Sequence, residues 1–206
     1  MRHSLIGLSG LLLAASCSTL QAHGLDYDYL DVAAVEQQSD SSSPDLDGYN
    51  LDFSYSIGSH FFLKLAFDNV STGNQPVIGN SMVSREKSKS FGFGYRSHIT
   101  ESLDFVADYT KQDYKFTQST NTGSGLVTSR FNDSGDTTRI GLRGLLLDKF
   151  EWDVLGVRKT VDDLDIDDTG YEVALRYRLH TDLSIGASYE DVADNQQTGI
   201  NLRYTF

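Results

Sequence analysis

The chain has 206 residues and a formal net charge of −12, enough length for one domain with a sizeable core. The acidic balance argues against nucleic acid as a partner, because phosphate backbones repel it. Its 18 Gly, 2 Pro, 11 Tyr and 11 Phe favour strands and glycine-tolerant bends over helices.

The chain opens MRHSLIGLSGLLLAASCSTLQA. Arg2 supplies a positive charge, and Leu5 to Ala15 is apolar over about a dozen residues, short of the roughly 20 that a spanning helix needs. Small residues ahead of His23 offer a cleavage point after Ala22. Residues 1–22 are therefore expected to be a secretory signal peptide, and residues 23–206 one domain. Cys17 is the single cysteine and would leave with the signal, so no disulfide is expected. The alternative is that AASC marks a lipoprotein cleavage site, with Cys17 as the lipid anchor. No later stretch approaches 18 consecutive apolar residues, which excludes a helical span and leaves a transmembrane β-barrel open.

From residue 25 onward the hydrophobic period is two. The first strand is expected over roughly 25–37, with Leu30, Val32 and Ala34 on one face and Asp31 on the other. In YNLDFSYSI, Tyr49, Leu51, Phe53, Tyr55 and Ile57 oppose Asn50, Asp52, Ser54 and Ser56. A tight turn leads into Phe61, Leu63, Leu65 and Phe67, set against Lys64 and Asp68. Next, Phe91, Phe93 and Tyr95 oppose Gly92, Gly94 and Arg96. Leu103, Phe105, Ala107 and Tyr109 oppose Asp104, Asp108 and Thr110. Ile140, Leu142, Gly144 and Leu146 oppose Arg139 and Arg143. A two-residue turn at Asp148–Lys149 is expected before Phe150, Trp152 and Val154, which oppose Glu151 and Asp153. Tyr171, Val173, Leu175, Tyr177 and Leu179 oppose Glu172, Arg176 and Arg178. Leu183, Ile185, Ala187 and Tyr189 oppose Ser184, Ser188 and Glu190. The chain closes on INLRYTF, alternating through to Phe206.

This makes about ten strands, eight if a hairpin is overcounted. Short turns are expected at 57–60, 98–102, 147–149 and 180–182. Longer polar connections are expected near 38–46, 72–86, 118–135, 162–168 and 191–197. Short turns at one end and long loops at the other is the pattern of an up-and-down transmembrane barrel.

Which face points inward follows from the aromatics. With the strands threaded alternately up and down, Tyr49, Phe67, Phe91, Tyr109, Tyr171 and Tyr189 gather at the long-loop end. Tyr55, Phe61, Tyr95, Phe105, Trp152, Tyr177, Tyr204 and Phe206 gather at the other. Two aromatic bands on the apolar face suit two membrane–water interfaces, whereas a sandwich core has no reason to sort its rings. The charged face must then fill the barrel. It holds Asp31, Asp52, Asp68, Asp104, Asp108, Glu151, Asp153, Glu172 and Glu190 with Lys64, Arg96, Arg139, Arg143, Arg176, Arg178 and Arg203. Mixed charges in a narrow lumen must pair or hold water, so a salt-bridged interior with water pockets is expected rather than a wide pore.

The C-terminal INLRYTF, with Phe last and Tyr two before it, resembles the signal by which the outer-membrane assembly machinery recognises its clients. Together with the leader and the strand pattern, it makes the chain similar to the small outer-membrane β-barrel proteins of Gram-negative bacteria, the broad OmpA/OmpX-like group. The resemblance covers residues 25–206. It implies a closed antiparallel up-and-down transmembrane β-barrel in the outer membrane. Its partners would be outer-membrane lipid and lipopolysaccharide, with the assembly machinery engaged through Phe206. The group's usual strand number is eight; ten is nearer to the outer-membrane protease architecture.

Candidate chemistry is sparse. His23, His60, His98 and His180 are the histidines beyond the leader, and the last three fall at short turns. The His180–Asp182 pair sets an acid beside a base, at the end away from the extracellular rim where proteases resembling this architecture act. No histidine faces lipid at mid-strand, as the resemblance to lipid A deacylases would require. Asp162, Asp163, Asp165, Asp167 and Asp168 could together attract a divalent cation, but the spacing lacks the glycine and terminal glutamate of an EF-hand loop. We therefore expect no catalytic, cofactor-binding or metal-ligating residues, and a non-enzymatic role in envelope structure, surface interaction or minor permeation. Rival readings are a small ion or solute channel, an outer-membrane hydrolase, and a soluble periplasmic barrel binding an apolar ligand.

Overall fold

The computed structural model describes residues 24–39, 45–73, 75–77, 80–122, 125–162, 166–193 and 195–206. The expected signal peptide, Cys17 and His23 lie outside the described residues, as do Asp163 and Asp165.

The strands in chain order are β1 (Tyr29–Ser39), β2 (Leu46–Ile57), β3 (Phe61–Ser71), β4 (Gln75–Val77), β5 (Asn80–Thr100), β6 (Leu103–Thr122), β7 (Gly125–Leu146), β8 (Phe150–Val161), β9 (Ile166–His180), β10 (Leu183–Val192) and β11 (Asn195–Thr205). Neighbours along the chain pair antiparallel except for β3 and β4, β1 pairs with β11, and β3 pairs with β5. Ten strands thus close into an all-β up-and-down barrel. The three-residue β4 stands outside the ring, against the far end of β5. Closure pairs the backbone polar groups around the ring and leaves no sheet edge along it.

The alternation runs inside out relative to a soluble barrel. Phe91 is 59% exposed and Ile200 66%, whereas Asp104 is 1% exposed and Arg96 4%. The two aromatic bands form as expected. In the upper band Tyr171 and Tyr189 have ring centroids 6.0 Å apart. In the lower band Phe61 meets Tyr95 at 5.5 Å, Phe150 meets Tyr177 at 5.2 Å, and Phe206 stacks between Phe53 at 5.9 Å and Tyr204 at 6.4 Å. Trp152 lies flat across Gly144, where an added Cβ would fall 2.3 Å from the indole. Only glycine admits that ring so close to the barrel wall.

Four expectations need correcting. The first strand begins at Tyr29, because residues 24–28 leave the wall and enter the lumen. The turn between β7 and β8 is centred on Leu147 and Asp148, with φ of 54° and 57°, the left-handed pair of a tight hairpin; Lys149 follows it. The connection expected at 191–197 is tight as well, with β10 and β11 paired up to Val192↔Asn195. Most importantly, 72–86 and 118–135 are largely strand. The β5–β6 and β6–β7 ladders continue to Ser81↔Asn121 and Thr122↔Gly125. A sheet of β4 to β7 therefore projects beyond the upper aromatic band.

Candidate functional site

The lumen is where the charged side chains converge, and its two ends differ. At the short-turn end, residues 24–28 fold inward as a plug. Leu25 and Tyr27 pack against Phe62 and Val106 in a buried cluster. Phe62 can lie there because β5 offers Gly94 beneath its ring, where an added Cβ would sit 2.1 Å from the ring carbons. The Tyr27 ring is held between two guanidinium groups, Arg96 and Arg143, each 4.4 Å from its centroid. The Tyr27 hydroxyl donates to Asp104 Oδ2 at 3.0 Å, and Asp104 Oδ1 lies 2.6 Å from His98 Nδ1. Arg178 donates to the Gly24 carbonyl at 3.4 Å.

Above the plug a buried ionic lattice crosses the barrel. Glu151 is contacted by Arg143 at 2.8 Å, Arg203 at 2.9 Å, Arg176 at 3.2 Å and Arg178 at 3.7 Å. Arg203 also reaches Asp31 at 2.9 Å, and Arg176 pairs with Asp153. Arg203 covers the Tyr29 ring at 3.8 Å. These contacts link β1, β7, β8, β9 and β11, so the lattice braces the walls from inside. A cavity of about 100 Å³ remains beside it, lined by Tyr29, Asp52, Lys64, Asp108 and Arg176 among others.

The long-strand half is more open. Arg139 contacts Glu172 at 2.8 Å, Glu190 at 3.2 Å and Asp108 at 3.8 Å. Lys64 holds Asp108 at 3.2 Å, and Lys159 pairs with Glu190. Lys64, Arg139, Lys159, Glu172 and Glu190 border a chamber of about 180 Å³, whose wall includes Asp68, Glu86, Gln112 and Tyr114. Glu86 lies above the upper aromatic band. Burial pushes its carboxyl up to about 7; Asp68 adds to the rise and Lys159 opposes it.

The sixteen residues expected to line the lumen all face inward. Of the histidines, His60 and His180 sit at the rim, and His180 Nδ1 lies 3.0 Å from the hydroxyl of Thr181. The couple that does form is His98–Asp104, which sequence reasoning missed. The two residues flank one tight turn, and that spacing was the available signal. Of the acidic stretch, Asp167 takes two hydrogen bonds of 2.7 Å from Arg158, which hold its carboxyl below the usual range. Asp162 accepts from Ser134 Oγ at 2.9 Å.

No family model and no curated protein sequence matches the chain. Among solved structures it is similar to the KdgM porin in complex with disordered oligogalacturonate, at 12% identity and a TM-score of 0.49, over 86% of this chain and 99% of that one. It is also similar to the NanC porin, at 11% identity and a TM-score of 0.49, over 86% of this chain and 100% of that one. The attachment invasion locus protein Ail of Yersinia pestis matches at 13% identity and a TM-score of 0.42, over 85% of this chain and 92% of that one.

Proposed function

We propose that the chain is an integral outer-membrane β-barrel with a closed lumen, serving envelope structure or surface contact rather than catalysis or free permeation. The observation that carries this is the pairing of a doubly banded aromatic exterior with an ionic lattice inside. Exposed apolar side chains all round a barrel are stable only against lipid. On β2 the outward set from Tyr49 to Ile57 spans roughly nine residues, close to what a tilted strand needs to cross a bilayer. Residues 1–22 would direct export, and Phe206 would be presented to the assembly machinery.

Closure follows from the lower half of the lumen. The plug and the lattice crowd it with apolar rings and paired charges, and an ion crossing it would have to break several buried pairs. The projecting β4–β7 sheet is then the part available to the surroundings.

The test uses the mature chain in isolated outer membranes and in planar bilayers. Expected are retention in membranes after carbonate washing, a gel mobility that shifts on boiling, and conductance at background level. Sustained single-channel conductance would replace the closed-lumen reading with a channel. A freely soluble product without a mobility shift would overturn the membrane assignment.

A further inference from the structure

The cations of the outer surface are unevenly placed. Arg85, Lys87 and Lys89 on β5, Lys111 and Lys115 on β6, and Arg130 on β7 are all exposed. The ladders put all six on one outward face, through Phe91↔Lys111, Lys87↔Lys115, Arg85↔Thr117 and Thr117↔Arg130. Asp113, opposite Lys89, and Asp136, opposite Lys111 and hydrogen-bonded by the Tyr109 hydroxyl, are the carboxylates set among them. Among the described residues none of the six belongs to an ion pair, whereas the outward Arg158 is held by Asp167 at 2.7 Å. On the β1–β2 wall the outward charges are acidic, with Glu36 opposite Asp47.

Two features of this patch point to an anionic partner. Like charges directly opposite in a ladder, as Lys87 and Lys115 are, repel each other and destabilise the sheet unless an anion lies between them. The height is the second. Lys89 and Lys111 are each one outward position above the upper-band rings Phe91 and Tyr109, a step of about 7 Å along the strand. The patch therefore starts where the apolar belt ends, in the layer that holds lipid headgroups.

We propose that this face binds the phosphates of lipid A in the outer leaflet, with Lys87, Lys89, Lys111 and Lys115 as the principal contacts. The proposal rests on the reading of the chain as a membrane barrel. Charge complementarity selects a phosphorylated headgroup, and position selects a lipid-borne phosphate over a free one. Lys is suited to the task as a flexible, multiply donating point charge.

The test compares the refolded mature chain with a variant carrying Lys87→Gln, Lys89→Gln, Lys111→Gln and Lys115→Gln. Purified bisphosphorylated lipid A, dephosphorylated lipid A and inorganic phosphate are the probes. The wild type is expected to bind bisphosphorylated lipid A at least tenfold more tightly than the variant, with the gap narrowing in high salt. Dephosphorylated lipid A should bind both alike, and replacement of the same four lysines by arginine should keep the affinity. Equal binding of bisphosphorylated lipid A by wild type and variant would overturn the proposal. So would efficient competition by inorganic phosphate, which would identify a free-phosphate site. If the fourfold variant fails to refold, the pair Lys87→Gln and Lys115→Gln gives the same comparison. A boiling-dependent mobility shift is read on every sample, so failure of the membrane reading is distinguishable from failure of the patch.

Discussion

At the short-turn end of the lumen, Glu151 is 4% exposed and has four arginines around it. At the other end, Glu172 and Glu190 share Arg139 beside a chamber of about 180 Å³. Both halves use the same strands and the same alternation. They differ in what fills the space between the inward side chains. Below, Tyr27, Tyr29 and Phe62 take up much of the space and leave a cavity of about 100 Å³, so the charges depend mainly on their protein partners. Above, the inward residues on β5 and β6 include Ser88, Ser90, Thr110 and Gln112, and the charges there have a chamber wide enough for water. A buried charge that loses its partners cannot neutralise itself cheaply, whereas one beside a chamber can be solvated.

The largest effect should therefore follow removal of the central carboxylate of the lattice. Glu151→Gln is expected to destabilise the barrel by about 3–5 kcal/mol, the cost of stranding buried charge, as measured by urea unfolding in micelles. Glu172→Gln in the upper half should cost about 1.5 kcal/mol, on the scale of one hydrogen bond to a charged group. Equal losses from the two variants would erase the distinction between the halves. Next comes the plug. Tyr27→Ala empties the cluster with Phe62 and Val106 and should cost about 3 kcal/mol. It is also expected to raise bilayer conductance above the wild-type background.

Glu86 sharpens the comparison by pH. Its carboxyl is raised in the folded state to about 7 by burial, above the roughly 4.3 of an unfolded chain. The sign follows: the stability associated with the neutral form is complete below the unfolded value and is lost as pH rises through about 7. The protection of β5 amides around Glu86, after correction for the intrinsic pH dependence of exchange, should therefore fall as pH rises from about 4 to about 7. Glu86→Gln should remove that dependence. The smallest effect is expected from Arg158→Gln, because the Arg158–Asp167 pair is more than half exposed on both sides and water screens it. Its unfolding transition should coincide with that of the wild type.

Much of this architecture is legible in the sequence because lipid and lumen impose opposite demands on alternate residues. Leu51 and Asp52 are assigned to opposite faces by chemistry alone, and the aromatic bands orient the whole. The plug is not legible. Tyr27, Tyr29 and Asp31 share one parity, so the pattern runs back past the point where strand pairing stops. The upper strands are hidden for a different reason. Around 118–130, threonine, serine, asparagine and glutamine occupy both faces, and without an apolar face there is no rhythm to read. The basic patch was obscured by the net charge of −12. Its local signal is the two-residue spacing of Arg85, Lys87 and Lys89, which sets three cations on one face of a strand.

The inside-out assignment is tested most directly by the lipid accessibility of successive β2 residues. Single cysteines replacing Asn50, Leu51, Asp52, Phe53 and Ser54 would each carry a spin label in the bilayer-reconstituted protein. Collision rates with oxygen and with a water-soluble nickel chelate would then be measured at each site. Labels at 51 and 53 should favour oxygen, as lipid-facing sites do, and those at 50, 52 and 54 should not. The opposite phase, or no alternation, would contradict the account.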